Sequence, residues 1–197
     1  MAIENGYCTL SQVKASLRIT DSVDDELLEL AVEAASREID THTERQFYQT
    51  SETRVFTARD SYVCEIDDLV SLTSLKTQDD GEGTFDTVWT STDYQLEPLN
   101  GYSSGIDYPF THIRAIGDYV WPILGGEALV QVEGTFGWPS VPTAIKQATV
   151  ILASRIYKRN DSPLGVTGFG DLGMIRVSRV DPDVAALCDP YRRVRMA

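Results

Sequence analysis

The chain changes its hydrophobic pattern twice, and this limits its possible folds more than any other feature. From about Thr50 to about Gly134, apolar and β-branched residues alternate with polar ones in short runs. Turn-forming clusters such as QDDGEG and PLNGYSSG separate six strand candidates: TRVFTA, YVCEI, LVSLTSLKT, FDTVW, THIRAI and ALVQVEGTF. Because no helical pattern lies between them, these runs predict a small antiparallel sheet or sandwich rather than a βαβ array.

The N-terminal flank of this region has helical periodicity. Thr9 and Gln12 form a capping box for a short helix over about 10–18. A second box, at Ser22 and Asp25, predicts a long amphipathic helix. Its predicted buried stripe is Leu27, Leu28, Ala31, Ala34, Ala35 and Ile39, and its polar face is Glu26, Glu29, Glu33, Arg37, Asp40 and Glu44.

The C-terminal flank returns to the helical period. A helix is predicted from Pro142 to near Asn160, with a buried stripe at Ile145, Ala148, Thr149, Leu152 and Ile156. After a glycine-rich stretch, IRVSRV reads as a strand-like segment. Asp181 then caps a short helix whose first position is Pro182.

These elements predict an α+β protein. N- and C-terminal segments form a small α-helical bundle, which carries an inserted antiparallel β-rich domain and an extended C-terminal arm. The expected division is 1–49 for the N-terminal helices, 50–140 for the β-rich insert, 141–160 for the long core helix, and 161–197 for the glycine-rich arm, short helix and basic tail.

Charge is distributed unevenly along the 197 residues. Residues 1–141 hold 8 Lys/Arg and 25 Asp/Glu, a net of −17, whereas residues 142–197 hold 9 and 5, a net of +4. An acidic body repels the phosphate backbone, so nucleic-acid binding through a basic face is disfavoured, while the basic tail suits an acidic partner. No apolar run approaches a membrane span, and the N-terminus lacks the pattern of a secretory signal, so we expect a cytoplasm-like compartment.

No metal or cofactor site is expected. Cys8, Cys64 and Cys188 lack ligand spacing and read as buried thiols, and His42 and His112 form no ligand motif. An acidic cluster at residues 24–26 is open to two interpretations, a cation site or compensation of the helix dipole, and the dipole alone accounts for it.

Two motifs imitate catalytic or nucleotide-binding loops. Gly168, Gly170 and Gly173 have G-x-G-x-x-G spacing, but they follow a helix and precede an extended segment, the reverse of a phosphate-binding context. Gly101-Tyr-Ser103-Ser-Gly105 has nucleophile-elbow spacing, yet its surroundings favour a turn between strands. The aromatic residues of the acidic β-region lack a positive groove and read as sheet core or interface anchors: Trp89, Trp121, Trp138, Tyr102, Tyr108 and Tyr119.

Both helical flanks carry a resemblance. The opening YCTLSQVKASLRITDSVDDELLELAVEAASREIDTHTERQF, then GW-x-x-VP and A-x-R-x-Y-K-R-x-D-SPLG, resemble the head-to-tail connector (adaptor) proteins of tailed double-stranded DNA phages. The resemblance covers about half of the chain and is weakest between Thr50 and Gly134.

The resemblance implies a structural virion protein at the head-to-tail interface, made in the host cytoplasm, with no enzymatic activity. It implies a ring of about twelve subunits beneath the portal, closed by heterologous contacts, which extends the DNA channel without sequence-specific binding and joins a stopper or tail-completion protein. No membrane partner is implied. The expected contacts with the portal or a neighbouring subunit are Pro163, Leu164, Gly168, Phe169, Gly170, Leu172, Met174, Ile175, Arg176, Tyr191, Arg192 and Arg193.

Other protein classes remain as alternatives. A tail-completion or other neck protein would bind tail components and ignore the portal. A hydrolase would depend on Ser103, and a transcription regulator would need a recognition helix with a basic face, which the sequence lacks.

Overall fold

The computed structural model describes residues 2–79, 83–103, 106–123, 127–159 and 181–193. These residues form two compact units. One unit combines residues 1–45 and 141–197 and is helical, and the other spans residues 46–140 and contains the strands. The protein is α+β, as the sequence predicts.

The helical unit contains α1 (Leu10–Leu17), α2 (Asp25–Thr43), α3 (Thr143–Lys158) and α4 (Pro182–Cys188), followed by a 3-10 turn at Asp189–Tyr191. The predicted capping box of α1 is confirmed. Thr9 Oγ1 accepts from the Gln12 amide at 3.3 Å, and Gln12 Oε1 accepts from the Thr9 amide at 2.8 Å. Asp181 and Pro182 begin α4 as predicted.

The second predicted capping box, at Ser22 and Asp25, is wrong. Helix α2 begins at Asp25 after Asp24, whose side chain makes no capping bond. Asp24 instead accepts a hydrogen bond from the Tyr157 hydroxyl at 2.7 Å. The N-cap position is therefore Asp24 rather than the predicted Ser22, and the Asp24 side chain makes a tertiary contact with α3 instead of a cap.

The buried face of α2 is rotated from the predicted stripe. Leu28, Ala31, Ala35 and Ile39 are buried as expected, and Val32, Ser36 and Thr43 join them. Leu27 and Ala34, which were expected inside, are exposed. The Ser36 hydroxyl is accommodated because it donates to the Val32 carbonyl and accepts from the Tyr7 amide.

The sheet unit contains β1 (Thr50–Phe56), β2 (Val63–Thr77), β3 (Thr87–Val88), β4 (Tyr94–Glu97), β5 (Tyr102–Ser103), β6 (Ile106–Asp107), β7 (Phe110–Ala115) and β8 (Val130–Phe136). In the described residues, the main sheet has the order β1-β8-β2-β7-β4 with β3 beside β2, and every pairing is antiparallel. The runs YVCEI and LVSLTSLKT, predicted as two strands, form the single strand β2. Shifts in the register of its pairing with β7 and with β8 let β2 continue through the residues between the two predicted runs.

The core of the sheet unit is built from alternate residues of the long strands. Cys64, Ile66, Leu69 and Leu75 of β2 are at most 1% exposed. Val130, Val132 and Phe136 of β8 and Ile113 of β7 face the same core. Strand β8 alternates buried and less buried residues along its length, as expected for a strand with one face on a core.

Candidate docking surfaces

A cleft of about 500 Å³ opens in the helical unit between α2, α3 and α4. Its apolar lining comes from all three helices: Ile39, Leu152, Ile156, Val184 and Ala185. This volume lies within the range of about 300–1,000 Å³ that is typical of pockets for small ligands. The cleft can therefore take several apolar side chains.

Charged residues surround this apolar lining. Arg155 Nη1 donates to Asp181 Oδ2 at 2.7 Å, and both side chains are at most 25% exposed. His42 Nε2 lies 2.9 Å from Asp189 Oδ1, which joins the C-terminal end of α2 to the residues after α4. These two contacts link the start of α4 to α3 and the turn after α4 to the end of α2.

The residues on either side of the glycine-rich stretch both line the cleft. Arg159, which follows α3, and Asp181, which precedes α4, both line it. Residues 160–180 lie outside the described part of the chain. Nine of the twelve predicted partner contacts fall there: Pro163, Leu164, Gly168, Phe169, Gly170, Leu172, Met174, Ile175 and Arg176.

The other three predicted contacts, Tyr191, Arg192 and Arg193, are described. Tyr191 is only 7% exposed and packs inside the helical unit. Arg192 is exposed, and the backbone amide of Arg193 donates to the Thr43 carbonyl at 2.8 Å. The start of the basic tail is thus fixed to the end of α2, and in the free subunit the Tyr191 ring is not offered at the surface.

An exposed apolar seam runs along α2 and includes Val23, two residues before the helix. Val23, Leu27 and Leu30 are 85%, 46% and 44% exposed, and Ala34 continues the row. Their spacing of four, three and four residues is that of a helix-pairing seam. Sequence analysis missed this surface because it assigned Leu27 and Ala34 to the subunit core. Leu27, Leu30 and Ala34 of α2 are thereby left for another surface.

The sheet unit has its own exposed apolar patch near one end of β7. Trp89 and Trp121 stack with ring centroids 4.2 Å apart, and Tyr119 packs on Trp89 at 5.5 Å. Around this stack, Tyr62, Tyr119, Val120 and Ile123 are each about half exposed. Trp89 and Trp121 are buried in the core of the sheet, in agreement with one of the two expected roles for the aromatic residues, and Trp138 is buried against Phe47 and Tyr108.

Most of the negative charge belongs to the sheet unit. Residues 46–140 hold 4 Lys/Arg and 15 Asp/Glu, a net of −11. Exposed members of this set include Glu52, Asp79, Asp107, Asp118 and Glu133, so the charge is at the surface. The acidic body that the sequence indicates is therefore mainly the inserted unit.

The nucleophile-elbow motif at Ser103 does not have the surroundings that such a motif requires. Ser103 lies in β5, which pairs with β6 as Tyr102↔Asp107 and Ser103↔Ile106, and a nucleophile elbow needs a strand-to-helix turn instead. Gly168, Gly170 and Gly173 lie outside the described residues. Within the described ranges, no group of three or more His, Cys, Asp or Glu could hold a metal ion.

The three cysteines are buried and free of disulfide bonds, as predicted. Burial raises the pKa of the Cys8 thiol to about 11 and that of Cys188 to about 11. Burial, with a smaller contribution from Glu65, raises the pKa of Cys64 to about 12. Thiols with these pKa values are protonated near neutral pH and are poor nucleophiles.

The family model of phage gp6-like head-tail connector proteins matches residues 7–72, which include α1, α2, β1 and most of β2. This chain resembles phage head-tail connectors. The match includes the N-terminal motif on which the sequence resemblance rests, and it extends into the insert, where that resemblance was weakest. A search of curated proteins finds no match.

Two solved structures share the fold across the whole chain. A chain in the neck of an empty gene transfer agent (GTA) particle, computed with C6 symmetry, has a TM-score of 0.64 and 19% identity. The alignment covers 100% of this connector-like chain and 95% of the other. A chain in the neck of a native GTA particle, computed with C12 symmetry, has a TM-score of 0.58, 19% identity and coverage of 100% and 94%. At this identity the likeness is one of fold.

Among the described residues, no helix is both long and apolar enough to cross a membrane.

Proposed function

We propose that this protein is a structural connector in the neck of a tailed phage or phage-like particle. The main support is the connector family match over residues 7–72, in a chain whose whole fold resembles neck proteins. A protein of this class works by shape and contact surfaces rather than by chemical catalysis. Its place is the virion, between the head and the tail.

In this proposal the subunits form a closed ring. The neck structures with the same fold were computed with C6 and C12 symmetry, which supports a ring of about twelve subunits. A ring with heterologous contacts buries a surface of each subunit against its neighbour, and an exposed apolar surface favours such burial. The seam at Val23, Leu27, Leu30 and Ala34 supplies one, since its spacing suits packing against a neighbouring helix.

The same proposal assigns the acidic sheet unit to the DNA channel. A wall of carboxylates does not hold the phosphate backbone, so DNA passes without being bound. Residues 160–180 and the basic tail would contact the portal or a neighbouring subunit, and the opposite end of the ring would receive a stopper or tail-completion protein. The net charge of −11 on residues 46–140 supports the channel assignment.

The deciding experiment mixes the purified protein with portal particles and examines them by electron microscopy. We expect rings that cap the portal. A protein that stays monomeric with portal particles and is absent from purified necks would overturn the proposal, and binding only to tail components would favour a tail-completion role instead.

A matched pair of variants tests the seam within this experiment. Leu27 and Val55 are both 46% exposed, but Leu27 lies in the seam and Val55 lies on β1. Leu27→Glu should abolish rings, whereas Val55→Glu should leave them intact. Rings that survive Leu27→Glu would show that another surface makes the subunit contact, with the connector role unaffected.

A further inference from the structure

The cleft between α2, α3 and α4 is suited to bind apolar side chains. The lining of the cleft contains apolar side chains from three helices, and the cleft opens to solvent in the free subunit. Water against the apolar part of this lining gains few hydrogen bonds, so an apolar side chain of suitable reach is favoured there over solvent.

Chain connectivity identifies the candidate with the shortest tether. Residues 160–180 leave the described structure at Arg159 and return at Asp181, and both of these residues line the cleft. Leu164 is five residues beyond Arg159, a span of at most about 17 Å. Phe169, Leu172, Met174 and Ile175 follow in the same stretch. An occupant anchored at both ends has an effective concentration on the order of millimolar, without any second molecule.

Charge is compatible with this occupant. Residues 160–180 contain Asp161 and Asp171 against Arg176 and Arg179, so their net charge is zero. The cleft lining is similarly balanced, with Glu38 and Asp181 against Arg155 and Arg159. Long-range electrostatics therefore neither attract nor repel the segment, and apolar burial decides the binding.

We infer that in the free subunit this cleft is the docking site for apolar side chains of the chain's own residues 160–180. The docking keeps those side chains from solvent and from other molecules before assembly. The inference concerns the isolated subunit and does not depend on the neck role.

The experiment places a thiol in the cleft and measures its accessibility. Ala185 is small, half-buried and part of the lining, whereas Ala186, on the same short helix, is exposed and is not part of the lining. Ala185→Cys and Ala186→Cys are each prepared in the full chain and in a variant with residues 160–180 replaced by a Gly/Ser linker of equal length. N-ethylmaleimide labelling is followed by peptide mass spectrometry, which separates the introduced thiol from the natural cysteines.

We expect the linker to accelerate labelling of Ala185→Cys by at least tenfold and to leave Ala186→Cys unchanged. A synthetic peptide of residues 160–180, added to the linker variant, should restore protection. The same peptide with Phe169→Ser, Leu172→Ser and Ile175→Ser should fail. Circular dichroism of the linker variant verifies that the helices remain folded, and the peptide rescue gives an independent readout.

Three results would overturn the inference. Equal labelling of Ala185→Cys in both backgrounds would show that residues 160–180 do not occupy the cleft. Protection that is lost on truncation after Arg193, and not on linker replacement, would assign the cleft to the C-terminal residues. Protection that grows with protein concentration would assign it to a second copy of the chain.

Discussion

Arg155 Nη1 lies 2.7 Å from Asp181 Oδ2, and this ion pair connects the last turn of α3 to the N-cap of α4 across the interruption at residues 160–180. The other carboxylate oxygen of Asp181 accepts from the Asp183 amide at 3.0 Å. One side chain thus both caps a helix and fixes that helix to its neighbour.

Asp181→Ala should lower the free energy of unfolding by about 1–2 kcal/mol, because it removes the cap and the ion pair together. Asp181→Asn keeps an oxygen that can accept from the Asp183 amide and should cost less. Urea denaturation followed by circular dichroism measures both. Equal losses for the two variants would mean that the cap contributes nothing.

Leu28 and Leu27 are adjacent in α2 but differ completely in burial, with Leu28 at 0% and Leu27 at 46% exposure. Leu28→Ala should cost about 2–5 kcal/mol through lost burial and a residual cavity. Leu27→Ala should change stability by at most about 0.5 kcal/mol. Thermal unfolding of the two variants provides the comparison, and a large loss for Leu27→Ala would contradict the observed face of the helix.

Gly137 has φ +114°, and a Cβ placed on it would collide with the backbone carbonyl of Tyr48. Gly117 also has positive φ, at +66°, but nothing lies within 4 Å of its would-be Cβ. Gly117→Ala should therefore cost about 1–2 kcal/mol of backbone strain alone. Gly137→Ala should cost more, because β1 and β8 converge beside it. The two unfolding midpoints test this order, and equal values would argue against the close approach.

Backbone amides of Tyr62 and Val63 donate to Asp60 at 2.7 and 2.8 Å, and these bonds hold the pKa of the Asp60 carboxyl below its usual value of about 3.9. Since the folded pKa is lower than the unfolded one, the stabilisation is present above pH about 4 and is lost as pH falls through the folded value. Asp60→Asn should make stability less dependent on pH between about 5 and 3. Urea midpoints across this range measure the effect. Parallel pH curves for the two proteins would contradict it.

Periodicity in the sequence predicts the elements whose partners are local. The Thr9 box, the extent of α3 and the Asp181-Pro182 start of α4 are set within a few residues, and all three were predicted correctly. Strand β4 was missed because Tyr94–Glu97 is short and half-buried on both faces, without alternation. The start of α2 was misplaced because the box was assigned to Ser22, whereas Asp24 is the N-cap position and its side chain bonds to Tyr157, which is distant in sequence.

The candidate surfaces were only partly predictable. The exposed seam exists because the buried face of α2 is rotated by about one residue from the predicted face. Helix α2 has two apolar rows, one with Leu28 and one with Leu27, and helical periodicity alone does not fix which row faces the core. The cleft depends on the packing of α4 against α2 and α3, and no local pattern encodes that arrangement. The stretch between Arg159 and Asp181, where the sequence predicts most of the partner contacts, lies outside the described residues.

The insert delays completion of the helical unit while the chain is being made. Helix α2 ends at Thr43, and α3 begins at Thr143, about a hundred residues later. At about 5–20 residues per second, a ribosome needs roughly 5–20 s to supply the second helix, during which Leu28 and Ile39 lack their partner. Pairing of Thr50 with Phe136 brings the two ends of the insert together just before α3 emerges.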